Sequence, residues 1–194
     1  MSRVARLFLL CVLVLARPGA VRAQIATQDT AANYTSGWSN GANGGSGFLA
    51  WILQDDNNTP ASDDYSGFFL ATSGSSAVDT SAKSFGLYAN GPDYNEAVAW
   101  RGLGAAVAVG QVFEVKFLNN DVATGQAVGI SLLPSARTAS TNTLAGITSN
   151  ACLSVYFPGG GNDYLLADGN GVTDTGIAFN ENGMLLQIAK NIID

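Results

Sequence analysis

The chain has 194 residues, of which 23 are glycine and 12% are charged, about half of the usual charged share of about 25%. It contains no histidine. A Ser-His-Asp triad, a Cys-His dyad, a histidine-ligated metal and an HExxH zinc site therefore cannot be assembled from its own residues.

Residues 1–23 have the three-part layout of a secretory signal peptide. Arg3 and Arg6 precede an apolar run at 7–16, and the segment ends in Val21-Arg22-Ala23, a cleavage-type sequence. An apolar run of this length is too short to cross a bilayer of about 30 Å as a helix. We therefore expect one mature domain at 24–194 that is secreted or held at the cell surface, without a membrane span.

The predicted mature segment is strongly acidic. It keeps five basic and all fifteen acidic residues, a net charge of −10. The negative electrostatic field of such a segment repels the phosphate backbone of nucleic acids. We therefore expect no nucleic-acid partner.

Apolar residues recur with a period of two along most of the segment, which is typical of β-strands. In chain order the pattern predicts strands at 48–53, 67–71, 85–89, 113–117, 128–132, 153–157 and 184–188. The first two are apolar at successive positions, which predicts cover on both faces.

Clusters of Gly, Asn, Asp, Ser and Pro separate these strands and supply the turns. Short strands with such turns indicate an all-β sandwich or barrel. Residues 104–110 are rich in Ala and Val, but flanking glycines and branched valines favour a loop over a helix. The last strand reaches within a few residues of Asp194, which indicates either an edge strand or a chain that continues.

Cys152 is the only cysteine outside the predicted leader, so an intramolecular disulfide cannot form in the mature segment. Without a histidine partner, we expect Cys152 to be a small buried side chain rather than a reactive thiol.

A longer motif carries a family resemblance. Tyr34-Thr-Ser-Gly-Trp38-Ser-Asn40-Gly-Ala-Asn43-Gly-Gly-Ser-Gly-Phe48, followed by Trp51, resembles the first part of a group of secreted bacterial proteins. Later segments also fit: 67–70, 83–90, 110–113 and 174–179. The group resembles concanavalin A-like lectin and glucanase sandwiches of jelly-roll type, and some members end in a PEP-CTERM sorting tail. The resemblance implies an antiparallel β-sandwich of that type, with a fold that continues beyond Asp194.

Lectin-like sites combine an aromatic ring against the apolar side of a sugar with amide and carboxylate hydrogen bonds. Candidates for such a carbohydrate site are Trp38, Asn40, Asn43, Tyr88, Tyr94 and Trp100. The parity of its strand points Tyr88 away from Phe85 and Leu87. For Trp38 and Trp51 the alternative is a structural turn in which tryptophan packs on the core.

The segment 168–174 offers a candidate calcium site. Asp168, Asn170 and Asp174 place side-chain oxygens at its first, third and seventh positions, and calcium prefers such oxygen ligands. Turns rich in Asx residues have the same composition without a metal.

Glycoside cleavage usually needs two carboxyl groups that flank the bond. The related glucanases carry an E-x-D-x-x-E strand, but Lys116 stands two places after Glu114, where that motif has Asp. We therefore expect a secreted, non-catalytic module that binds a polysaccharide or a cell-surface glycan. The alternatives are a structural surface or matrix protein without a small ligand, and a glycan-degrading enzyme that uses Asp or Glu pairs.

Overall fold

The computed structural model describes residues 27–56, 66–72, 77–90, 96–120, 122–134 and 150–191. Within these ranges the chain forms a 3₁₀ turn at Ala31–Asn33 and ten β-strands. The strands are β1 (Ile52–Asp56), β2 (Ser66–Ala71), β3 (Ser84–Ala89), β4 (Glu96–Trp100), β5 (Val112–Phe117), β6 (Ala127–Leu132), β7 (Leu153–Pro158), β8 (Asp163–Asp168), β9 (Gly171–Ala178) and β10 (Met184–Ala189).

All pairings between these strands are antiparallel. Strand β1 pairs with β4, β2 with β3, and β5 with β10, whereas β6, β7, β8 and β9 form one sheet in chain order. The all-β prediction is confirmed, and the arrangement is consistent with a β-sandwich. In the part of the chain described, no helix is long and apolar enough to cross a membrane.

The alternating pattern locates most of the strands correctly. The first predicted strand, at 48–53, is the exception, because β1 begins at Ile52 and continues through Asp55 and Asp56, which look like turn residues in the sequence. Strands β4, β8 and β9 were not predicted from the alternating pattern. Residues 104–110 form a loop, as predicted.

Strands β5 and β10 form a ribbon with one apolar and one mixed face. The cross-strand register places Phe117 opposite Met184 and Val115 opposite Leu186, on the half-buried face. On the exposed face, the Gln187 side chain donates a 2.8 Å hydrogen bond to Glu114. The predicted alternation of β5 is thus confirmed.

Tyr164 of β8 connects this ribbon to the four-stranded sheet. Its ring is 1% exposed and contacts Phe117 of β5 and Phe157 of β7, with centroid distances of 6.4 and 5.3 Å. Its hydroxyl donates a 2.5 Å hydrogen bond to Oδ1 of Asn119. Burial raises the pKa of the Tyr164 phenol, because the charged phenolate loses its hydration there.

Three sequence predictions about burial are wrong. Cys152 is exposed, because β7 begins only at Leu153 and leaves Cys152 in the preceding bend. Neither segment that was predicted to be covered on both faces is covered in that way. Leu49 and Ile52 in 48–53 are 59% and 45% exposed, and Phe69 in β2 is 47% exposed. The predicted leader at 1–23 and Tyr94 lie outside the described residues.

Candidate functional site

The Tyr34-to-Trp51 motif folds into an aromatic core. Trp38 is 8% exposed, and its ring lies 5.2 Å from Trp51, 5.7 Å from Phe68 and 4.7 Å from Phe85, measured between centroids. Tyr34 packs edge-on against Phe85 at 5.2 Å. The motif thus joins its own loop to strands β2 and β3, and the Trp38 ring is used for packing.

Arg101, the residue directly after the end of β4, contacts this motif through its guanidinium group. Its guanidinium lies 4.5 Å from the ring centroid of Phe48 and 4.7 Å from that of Trp51. It forms an ion pair with Asp29, and both side chains are only 6% exposed. The hydroxyl of Tyr34 donates a 2.5 Å hydrogen bond to the same carboxylate. A buried arginine is therefore neutralised by one carboxylate and stacked against two rings.

The amide side chains of the motif are used inside the loop. Oδ1 of Asn43 accepts a 2.5 Å hydrogen bond from Arg101, and its Nδ2 donates to the carbonyl of Phe48 at 3.3 Å. Oδ1 of Asn40 accepts a 3.1 Å hydrogen bond from the backbone of Leu53. These two predicted sugar ligands thus fix the course of the loop.

A glycine in the motif allows the chain to approach itself closely. A Cβ atom at Gly45 would lie 2.6 Å from both Cβ and Cγ of Asp29 and 2.7 Å from the carbonyl oxygen of Gln28. Only glycine fits there without displacing the carboxylate that pairs with Arg101.

A second aromatic feature lies on the outward face of β2 and β3. The register pairs Gly67 with Tyr88 and Phe69 with Gly86, so each ring stands opposite a glycine on the same face. A Cβ atom at Gly86 would overlap three ring carbons of Phe69, and one at Gly67 would lie 2.9 Å from the hydroxyl oxygen of Tyr88. Both rings therefore lie across the neighbouring strand. We call this surface the Phe69–Tyr88 platform.

The platform is open to solvent. Phe69 and Tyr88 are 47% and 37% exposed, and their ring centroids are 6.3 Å apart with an angle of 44° between the planes. The opposite face of the same strands carries Phe68 and Phe85, which pack on Trp38. The aromatic core thus supports the platform from behind.

The structure separates the predicted carbohydrate residues. Tyr88 lies on the platform, whereas Trp38, Asn40 and Asn43 lie in the motif and its packing. Trp100 is half-buried in β4, opposite Ile52 of β1.

The predicted calcium ligands do not converge. Asp168 pairs with Gly171 and Asp174 with Leu165, so the two carboxylates lie on opposite faces of the β8–β9 hairpin. Asp168 accepts a 2.8 Å hydrogen bond from the backbone of Asn170, and Asp174 accepts one of 2.8 Å from Gly176. The described residues hold no group of three or more Asp, Glu, Cys or His side chains that could bind a metal ion.

Phe69 carries half of the platform but was not among the residues predicted to bind a sugar. Phe68 and Phe69 are adjacent in an apolar run, and the run favoured cover on both faces. The glycine at position 86 was the available signal, since glycine in a strand often marks a place where another group approaches closely.

Comparison of the chain with protein-family models, with curated proteins and with solved structures finds no match.

Proposed function

We propose that this protein is a secreted, non-catalytic extracellular module of the jelly-roll type that binds carbohydrate on the Phe69–Tyr88 platform. The observation that carries the proposal is the pair of exposed rings lying across Gly86 and Gly67 on one face of β2–β3. The signal-peptide layout at 1–23 and the acidic mature segment support a place outside the cell.

The chemistry of the platform suits a sugar ring. The face of an aromatic ring carries partial negative charge, and the apolar side of a pyranose presents C–H groups with partial positive charge. Covering about 50 Å² of one ring at about 25 cal/mol per Å² contributes about 1.3 kcal/mol, roughly tenfold in affinity. Two rings together therefore give measurable binding without a deep pocket.

The two glycines give the platform its form. Glycine inside a strand lacks a side chain to pack and weakens the strand. At Gly67 and Gly86, however, it leaves room for the Tyr88 and Phe69 rings to lie across the strands. Rings held in this way are ordered before a ligand arrives, which lowers the entropy cost of binding.

Binding of the full chain to a glycan array and to a panel of insoluble polysaccharides tests the proposal. We expect Phe69→Ala and Tyr88→Ala each to weaken binding about tenfold, with the melting temperature nearly unchanged. Leu185→Ala is the matched control, since Leu185 is a large exposed apolar side chain on β10, away from the platform. We expect this control to bind like the wild type.

Two outcomes would overturn the proposal. If no glycan is retained, or if both ring variants bind like the wild type, the platform is not a sugar site, and a structural surface or matrix role becomes the better account. Release of soluble sugar from any polysaccharide would contradict the non-catalytic part and favour a glycan-degrading enzyme.

A further inference from the structure

We infer that the ligand of the Phe69–Tyr88 platform is a neutral, extended polysaccharide presented on a surface, such as the face of a packed, uncharged fibril. The inference rests on the proposed function, and it narrows the ligand to one class. The shape of the platform, the spacing of its rings and its charge lead to this class.

On β2 and β3, no large side chain stands beside the two rings to form the wall of a pocket. Apart from the two rings, the outward positions of β2 and β3 carry only small side chains. These positions are Gly67, Ala71, Ser84 and Gly86. Sites for small soluble ligands are concave and cover most of the ligand surface. A face without walls instead matches an extended ligand that continues beyond the two rings.

The spacing of the rings excludes a single sugar as the full ligand. The centroids of Phe69 and Tyr88 are 6.3 Å apart, about the span of one sugar residue. Each ring can therefore cover one pyranose, and using both rings requires neighbouring sugars of a polymer. The angle of 44° between the rings lets them touch residues with different tilts.

The charge of the platform favours a neutral polymer. None of its six outward positions is charged, so it offers no cation to a sulfate or carboxylate. Arg101 is already buried against Asp29, and Lys190 donates a 2.9 Å hydrogen bond to the carbonyl of Val107. Lys83 precedes the first residue of β3, at the end of the strand remote from Tyr88. The net charge of −10 adds repulsion against any anionic glycan.

The test compares fibrils that differ only in charge. The full chain is mixed with cellulose, chitin and mannan fibrils, with the same fibrils after surface oxidation to carboxylates, and with soluble oligosaccharides of the same sugars. We expect retention on at least one neutral fibril. On its oxidised form binding should be at least tenfold weaker at low salt, and the soluble oligosaccharide should compete poorly.

The variant Gly86→Ala tests the position of the Phe69 ring while both rings remain. Its methyl group would push the Phe69 ring off the strand, so we expect binding to neutral fibrils to fall about tenfold with an unchanged melting temperature. Gly169→Ala is the matched control, since a Cβ atom there meets nothing within 4 Å.

The outcomes separate this inference from the proposed function. Binding that depends on Phe69 and Tyr88 but prefers oxidised fibrils or soluble oligosaccharides would overturn the neutral fibril ligand and keep the sugar site. Wild-type binding by Gly86→Ala would show that binding does not depend on the Phe69 ring lying across the strand, and would overturn this part of the inference. Wild-type binding by both ring variants would overturn the sugar site itself.

Discussion

Replacing Arg101 by methionine is expected to destabilise the protein strongly. Arg101 and Asp29 form a buried pair, and removing one partner of such a pair usually costs about 3–5 kcal/mol, because a charge remains buried without compensation. Asp29 would keep hydrogen bonds from the Tyr34 hydroxyl at 2.5 Å and from the Thr30 backbone at 2.8 Å. We therefore expect a loss near the lower limit, about 3 kcal/mol, from a total of about 5–15 kcal/mol.

Two further variants separate the contributions of hydrogen-bond geometry and of charge to this loss of stability. Arg101→Lys keeps the charge but loses the planar group that bonds Asn43 and the Leu49 carbonyl, so we expect a loss of about 1–3 kcal/mol. The double variant Asp29→Asn with Arg101→Met removes both charges. We expect it to lose at least about 1 kcal/mol less than the sum of the two single variants, since residues in contact couple by about 0.5–3 kcal/mol.

Urea unfolding followed by tryptophan fluorescence measures these differences, because Trp38 and Trp51 lie in the same cluster as Arg101. Lys116→Met is the control: Lys116 is an exposed cation on β5, and its loss should change the free energy of unfolding by less than about 0.5 kcal/mol. The loss in Arg101→Met should persist in 1 M salt, because salt screens buried pairs weakly.

The explanation fails if Arg101→Met loses less than about 1 kcal/mol of unfolding free energy, or if the two single variants are additive in the double variant. Either result would show that the Arg101–Asp29 pair contributes little to holding the motif around Trp38.

Three further outcomes are expected. Gly45→Ala should destabilise the protein by about 1–3 kcal/mol in urea unfolding, because its methyl group overlaps a tightly packed loop, whereas Gly169→Ala should change little. The raised pKa of Tyr164 means that the folded state holds its phenolic proton to higher pH than the unfolded state. Stability should therefore fall as pH rises above about 10, more steeply in the wild type than in Tyr164→Phe. EDTA should leave the melting temperature unchanged, since Asp168 and Asp174 lie on opposite faces; a drop would contradict that geometry.

The sequence predicted those parts of the fold that depend on local alternation. Phe113, Val115 and Phe117 share a face because successive side chains of any extended strand point to opposite sides. The same rule pointed Tyr88 outward, away from Phe85. These predictions needed no knowledge of the partner strand.

Alternation fails where both faces of a strand are apolar. At Phe68 and Phe69 the sequence offers two aromatic residues in succession, and only the pairing with β3 shows which one faces the core. Phe68 packs on Trp38, whereas Phe69 crosses Gly86 on the outside. The side that becomes a surface depends on what the rest of the chain covers.

Spacing along the chain also does not predict which side chains come together at the candidate sites. Asp168 and Asp174 look like ligands of one ion, but the hairpin register divides them between two faces. Asp29 and Arg101 give no signal of their pairing, since 72 positions separate them along the chain. The sequence by itself thus determined the strands with clear alternation, the acidity and the absence of histidine. The tertiary structure alone decided which rings are exposed and which charges meet, because register and burial arise from contacts between distant segments.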